Sequence, residues 1–191
     1  MSNTQIVVLV LVIVAVLVAA AAGVMLYRRA TLRRRFGPEY SRLADQMGTS
    51  AAERELRDRE RRHADLDIRP IDPVSRERYR AAWTDLQTRF VDQPEQTVGA
   101  ADALVTHLVA ECGYPTSDHE EQMAQLSVDH AQTLDHYRIA HDIFRRHQRG
   151  QATTDQLREA LVHYRELVAD LLGGDPVSHR GEVPPVTSPP R

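Results

Sequence analysis

Residues 6–26 read IVVLVLVIVAVLVAAAAGVML, an apolar run of 21 residues, and Arg28, Arg29, Arg33, Arg34 and Arg35 follow it at once. A helix rises about 1.5 Å per residue, so the run would be roughly 31 Å long, close to the ~30 Å hydrocarbon core of a bilayer. No charge interrupts it. The β-branched residues Val7, Val8, Val10, Val12, Ile13 and Val14 count against a water-soluble helix. In lipid the helix wins, because it satisfies every backbone polar group internally.

Two other readings of the run are weaker. A secretory signal has a basic start, a short apolar core and a small-residue cleavage site. Residues 1–5 carry no charged side chain, and the run is too long, although Ala19-Ala20-Ala21 imitates a cleavage site. A buried core helix of a small soluble domain would show a polar face, and this run has none. The sequence therefore predicts a single-pass cell-membrane protein, with a secreted protein as the alternative. Five arginines follow the span and none precedes it, so the positive-inside rule puts the C-terminal part in the cytoplasm. The same arginines set topology at the membrane surface and attract anionic lipid.

The rest of the 191-residue chain bounds the chemistry. It contains no lysine, and all 24 basic residues are arginine. That excludes a Schiff-base lysine and a phosphate-loop lysine. One cysteine, Cys112, cannot form an intramolecular disulfide, which fits a reducing compartment, and its apolar helical face makes it a small core residue. Residues 27–48 carry six Arg against two acids, and residues 91–148 carry ten acids against three Arg. A basic neck on an acidic body is not the pattern of a nucleic-acid binder.

Helix signals follow one another along the body. Gly37-Pro38 ends any helix leaving the membrane, and Pro38 opens a short one. Ser50-x-x-Glu53 reads as a capping box for a charged helix over about 50–65. Glu53–Arg57, Glu55–Arg59 and Asp58–Arg62 are spaced to pair along it, which makes it a solvated stalk or a partner-facing helix. Asp72-Pro73 starts a helix with Tyr79, Trp83, Leu86 and Phe90 on one stripe. After Pro94 comes another, with Val98, Ala101, Val105, Leu108 and Cys112 inside and Gly113 as its left-handed stop. A short helix over about 118–126 follows. Asp129 is placed to cap a helix over about 130–148, with Leu134, Tyr137, His141 and Phe144 on its apolar side. Thr153-x-x-Gln156 is a second capping box, and Leu157, Leu161, Tyr164, Val168 and Leu171 follow on one face.

No alternating strand pattern or hairpin dipeptide occurs. The fold class expected is all-α: an N-terminal transmembrane helix, an antiparallel helical bundle and a disordered Pro-rich tail. The divisions are residues 1–5 as a short start, 6–26 as the span, 27–48 as a basic juxtamembrane segment, 49–172 as the helical domain and 173–191 as the tail.

No catalytic motif emerges. The nine histidines contain no i,i+3 or i,i+4 pair, which a helical zinc site needs. His119-Glu120 begins a metalloprotease pattern, but Met123 stands where its second histidine belongs. No cofactor, metal or enzyme activity is expected. The best polar cluster is Asp129, His130, Arg138 and His141, read as a helix cap with core hydrogen bonds or as a partner contact. Arg57 and Arg61 are the further candidate contacts.

The chain resembles a group of uncharacterised actinobacterial proteins with one N-terminal span and an Arg-rich helical body, often labelled membrane or secreted proteins. The resemblance rests on Arg35-Phe36-Gly37-Pro38-Glu39-Tyr40, Arg59-Glu60-Arg61, Trp83 with Arg89-Phe90-Val91-Asp92, Gly113-Tyr114-Pro115, and Leu126-Ser127-Val128-Asp129-His130 with Tyr137-Arg138 and His141. It implies a bacterial envelope location and brings no activity. The expected function is a membrane-tethered domain that binds an unidentified protein beside the lipid bilayer. The alternatives are a metal-dependent or hydrolytic enzyme built from distant His, Asp and Glu, and an anionic-lipid surface sensor.

Overall fold

The structure is a computed structural model that describes residues 3–173, with side chains described from residue 11 onward. The expected tail, apart from Gly173, lies outside the described residues. Eight helices occur among the described residues, and no strand: α1 (Asn3–Phe36), α2 (Pro38–Met47), α3 (Thr49–Ala64), α4 (Pro73–Arg89), α5 (Pro94–Glu111), α6 (His119–Asp129), α7 (Leu134–Gln148) and α8 (Thr154–Leu171). The protein is all-α. Its contacts divide it into two compact units, Met1–Ile68 with Gly113–Asp135, and Arg69–Cys112 with His136–Arg191. The body expected as one domain over 49–172 is shared between them.

In the first unit α1 does not stop where the apolar run stops. It continues through the arginines to Phe36, and its stretch Leu11–Phe36 is long and apolar enough to cross a membrane. Leu32 and Phe36 enter a core with Tyr40, Leu43, Ala52, Leu56 and Val128. Gly37 then turns the chain at φ 45°, and Pro38 fills the first position of α2, where no N–H is needed. A side chain at residue 37 would be strained by that angle and would press on Gln132, 2.5 Å from its Nε2.

Gly48, at φ 83°, joins α2 to α3. The capping box expected at Ser50 is absent: Thr49 opens α3, and Gly48 caps it without a side-chain bond. Glu53 cannot reach back to the helix start, because Tyr40 and Arg29 hold it. Nor is α3 a solvated stalk. Its Ala52, Glu53, Leu56 and Arg59 are buried, and the helix packs on α1, α2 and α6. Helix α6 runs to Asp129, three residues beyond its expected end. Its residues Gln122 to Val128 are all buried. That stretch is enclosed on every side, and its polar residues must find partners inside.

The second unit is built from α4, α5, α8 and all but the first two residues of α7. Here the start signals hold. Asp72 accepts hydrogen bonds from the Val74 and Ser75 amides, and Pro73 follows. Thr153 and Gln156 form the reciprocal capping box of α8. Helix α5 is the centre, with α4 and α8 packed against it. Tyr79, Trp83, Leu86 and Phe90 are buried as the stripe predicts, and so are the expected residues of α5 and α8. Each fully buried large side chain contributes roughly 1.5–3 kcal/mol. Helix α7 begins at Leu134 rather than near 130, and Ile143 is buried in its stripe while His141 and Phe144 stay half-buried.

Candidate functional site

Three polar networks stand in the first unit, where α1 leaves its apolar stretch. The deepest is centred on Glu39, which is 1 % exposed. Its carboxylate accepts two hydrogen bonds from Arg42, at 3.0 and 2.7 Å, and one from Arg59 at 2.8 Å. Arg59 is itself buried and also donates to Glu55 and to the Ser127 hydroxyl. Buried charges persist only when paired in this way.

A second network ties α1 to its neighbours. Arg29 donates to the Tyr40 hydroxyl at 3.1 Å, and that hydroxyl donates to Glu53 at 3.1 Å. Arg29 also lies 3.3 Å from Glu53, and the Arg33 guanidinium sits over the Tyr40 ring. The third network is centred on Asp129. Arg35 reaches its carboxylate at 3.4 Å, Glu60 at 3.0 Å and the Val128 carbonyl at 3.3 Å. His63 Nε2 stands 3.1 Å from the other Asp129 oxygen, without the alignment of a hydrogen bond.

The five expected membrane-surface arginines therefore differ. Arg29, Arg33 and Arg35 are engaged inside the unit. Arg28 and Arg34 are exposed, and no ion pair joins either to a described residue. Arg28 instead lines a groove of about 610 Å³, with Ala20, Ala21, Val24 and Met25 of α1 and Glu53 and Arg57 of α3. Arg57 is 43 % exposed, and its nearest carboxylate oxygen is Glu53 Oε2 at 3.9 Å. Arg61 is far more exposed and pairs with Asp58, a contact expected of Arg62. Arg62 turns to Glu121 at 3.1 Å. The Glu55–Arg59 pair forms as its spacing predicts.

The expected cluster of Asp129, His130, Arg138 and His141 is divided between the two units. Asp129 does not cap α7; it is the last residue of α6, held by the contacts above. His130 closes α6, its amide bonded to the Leu126 carbonyl, and its ring meets Tyr114. Arg138 and His141 belong to the second unit. Arg138 is half-buried on α7. His141 finds a partner that sequence spacing could not name. Its Nδ1 lies 2.9 Å from Asp102 Oδ1, and the Tyr164 hydroxyl donates to the same oxygen at 2.6 Å. Burial, then the Asp102 charge, pushes the Tyr164 hydroxyl far above its ordinary value, so it stays a donor. One signal was present: Asp102 lies four residues after Val98 and three before Val105, at the edge of the apolar stripe.

Helices α7 and α8 also bring His136 and His163 together, with their Nδ1 atoms 2.8 Å apart. One ring must donate and the other accept. Burial, then His136, holds His163 below its ordinary value, while Glu159 and Glu166 pull the other way. Between α4 and α5, Glu111 accepts from the Tyr79 hydroxyl at 2.8 Å and from Arg78 at 3.0 Å. Burial and Glu111 push Tyr79 up to about 12. Among the described residues no three His, Cys, Asp or Glu side chains are grouped to hold a metal ion.

Comparison with protein-family models, with curated proteins and with solved structures finds no match to this chain.

Proposed function

We propose that the chain is a single-pass membrane protein whose helical part is held at the cytoplasmic face and binds another protein there. The continuity of α1 carries this reading. The helix passes without a break from its apolar stretch into the core of the first unit, where Leu32 and Phe36 are buried. Arg29, Arg33 and Arg35 lock the same turns to α2, α3 and α6. A flexible tether is thereby replaced by a rigid one, so the bilayer sets the position of the first unit. The positive-inside rule supplies the side.

The outward face of α3 supports the partner. Arg54 and Arg61 lie seven residues apart, two helical turns, on it, both exposed. Such a face suits an acidic protein surface, with rim charges that govern association rate and salt dependence. Photocrosslinking from position 61 in living cells tests this. A discrete crosslinked species lost on Arg54→Glu is expected. The absence of any species, or one indifferent to that change, contradicts it.

The Asp102–His141 contact favours one second reading, a hydrolytic enzyme in which Asp102 orients the imidazole as a base. Tyr164 donates to the same carboxylate oxygen, and the Tyr137 and Phe144 rings pack on His141. Those neighbours favour a buried network that fixes helix register. Loss of an ester hydrolysis on His141→Gln, with the fold kept, would decide for the enzyme.

A further inference from the structure

We propose that the groove between the last apolar turns of α1 and the middle of α3 binds the headgroup of an anionic phospholipid. Arg28 and Arg57 hold its phosphate, and Ala20, Ala21, Val24 and Met25 lie against its acyl chains. The proposal rests on the reading of α1 as a membrane span.

The geometry comes from one face of one helix. Residues 20, 21, 24, 25 and 28 follow the spacing of neighbours on a helix surface. From Ala20 to Arg28 the helix rises roughly 12 Å. Arg28 lies two residues past the end of the apolar run, a rise of about 3 Å, which is headgroup depth if the run fills the hydrocarbon core. Ala20 lies about 9 Å inside that boundary, at acyl-chain depth. The two alanines leave the space that makes the groove, which measures about 610 Å³. Helix α3 closes its other side at the polar end, with Arg57 and Glu53.

The charge is unbalanced in the direction a phosphate needs. Three guanidinium groups, Arg28, Arg29 and Arg57, stand about one carboxylate. Glu53 Oε1 is already occupied by the Tyr40 hydroxyl at 3.1 Å and by Arg29 at 3.3 Å. Its Oε2 is 3.9 Å from Arg57, too long for a hydrogen bond. Arg28 is exposed and ion-paired to no described residue. Guanidinium groups favour phosphate oxygens through paired N–H donors. A free phosphate would use the arginines and leave the apolar floor uncovered. A lipid uses both, so the source assigned is the bilayer.

The full chain in nanodiscs of phosphatidylcholine, alone or mixed with phosphatidylglycerol, tests the site. The readout is the ratio of the two lipids that stay with the chain in native mass spectrometry. The wild-type chain is expected to retain phosphatidylglycerol preferentially. Arg28→Gln with Arg57→Gln should lower that preference about thirtyfold, given ~1 kcal/mol for each basic residue at an anionic surface. Arg54→Gln with Arg61→Gln removes the same charge from α3 outside the groove and should leave most of it. Ala21→Trp fills the apolar floor with every charge kept, and should lower retention too. Equal losses in both double variants, or no preference in the wild type, overturn the proposal. Alkaline carbonate extraction separates the two levels. A chain washed from the membrane refutes the span, whereas an anchored chain without lipid preference refutes only the groove.

Discussion

Glu39 shows what one buried charge demands. It is enclosed between Arg42 and Arg59, and Arg59 is buried with it. Glu39→Ala would leave the buried Arg59 with Glu55 as its remaining carboxylate, and losing a hydrogen-bonded partner of a buried charge costs about 1.5–3 kcal/mol. The measurement is denaturant unfolding of the chain in detergent. A loss below about 1 kcal/mol would mean that water reaches Arg59 and the pair behaves like a surface one. Gly113 is a second sensitive position. It takes φ 97°, and a Cβ there would collide with the Asp67 carbonyl oxygen. Gly113→Ala should destabilise by about 1–3 kcal/mol, read in the same experiment. Beside it, Cys112 is buried and its thiol is pushed up to about 11 by that burial. Only the thiolate is nucleophilic. Alkylation at neutral pH should therefore be slow in the folded chain and fast after unfolding; rapid reaction in the native chain would contradict the burial.

Helix boundaries were legible where the signal is local. Asp72-Pro73 and Thr153-x-x-Gln156 needed only their own backbone amides, and α4 and α8 start as they dictate. Ser50-x-x-Glu53 has the same form and fails, because Tyr40 and Arg29 draw the Glu53 carboxylate away. Asp129 fails as a cap for the same kind of reason, since Arg35 and His63 compete for it. The apolar stripes of α4, α5 and α8 could be read because burial follows periodicity. His136 with His163, and His141 with Asp102, could not, because their members lie on different helices, 27 and 39 residues apart. The histidine pair gives these two helices a pH dependence. The unfolded chain takes up a proton at His163 near the ordinary 6.5, while the folded ring, held lower, resists it. The unfolded state then binds more protons, so stability falls as pH drops below about 6.5 and levels off beneath the folded value. The thermal midpoint of the wild type should fall more than that of His163→Gln between about pH 7.5 and about pH 5.5. Parallel falls would show that the pair contributes nothing to the transition.

At the scale of the whole molecule, the chain is two helical units, and the first of them contains the end of α1. The apolar run announced a helix able to span a bilayer, but not that its last turns are core residues. Charge pattern alone treated Arg28, Arg29, Arg33, Arg34 and Arg35 as one group at the membrane surface. Tertiary contacts divide them into Arg29, Arg33 and Arg35, which brace the helix, Arg28, which lines the groove beside α3, and Arg34, which is exposed. The central claim is that this helix crosses the membrane and holds the first unit on the cytoplasmic side. Arg61→Cys in a Cys112→Ser background tests it most directly, because residue 61 is exposed on α3. A membrane-impermeant thiol reagent should label that position only after the membrane is opened, in a chain that resists carbonate extraction. Labelling in intact cells, or recovery of the chain in the soluble fraction, would contradict the account.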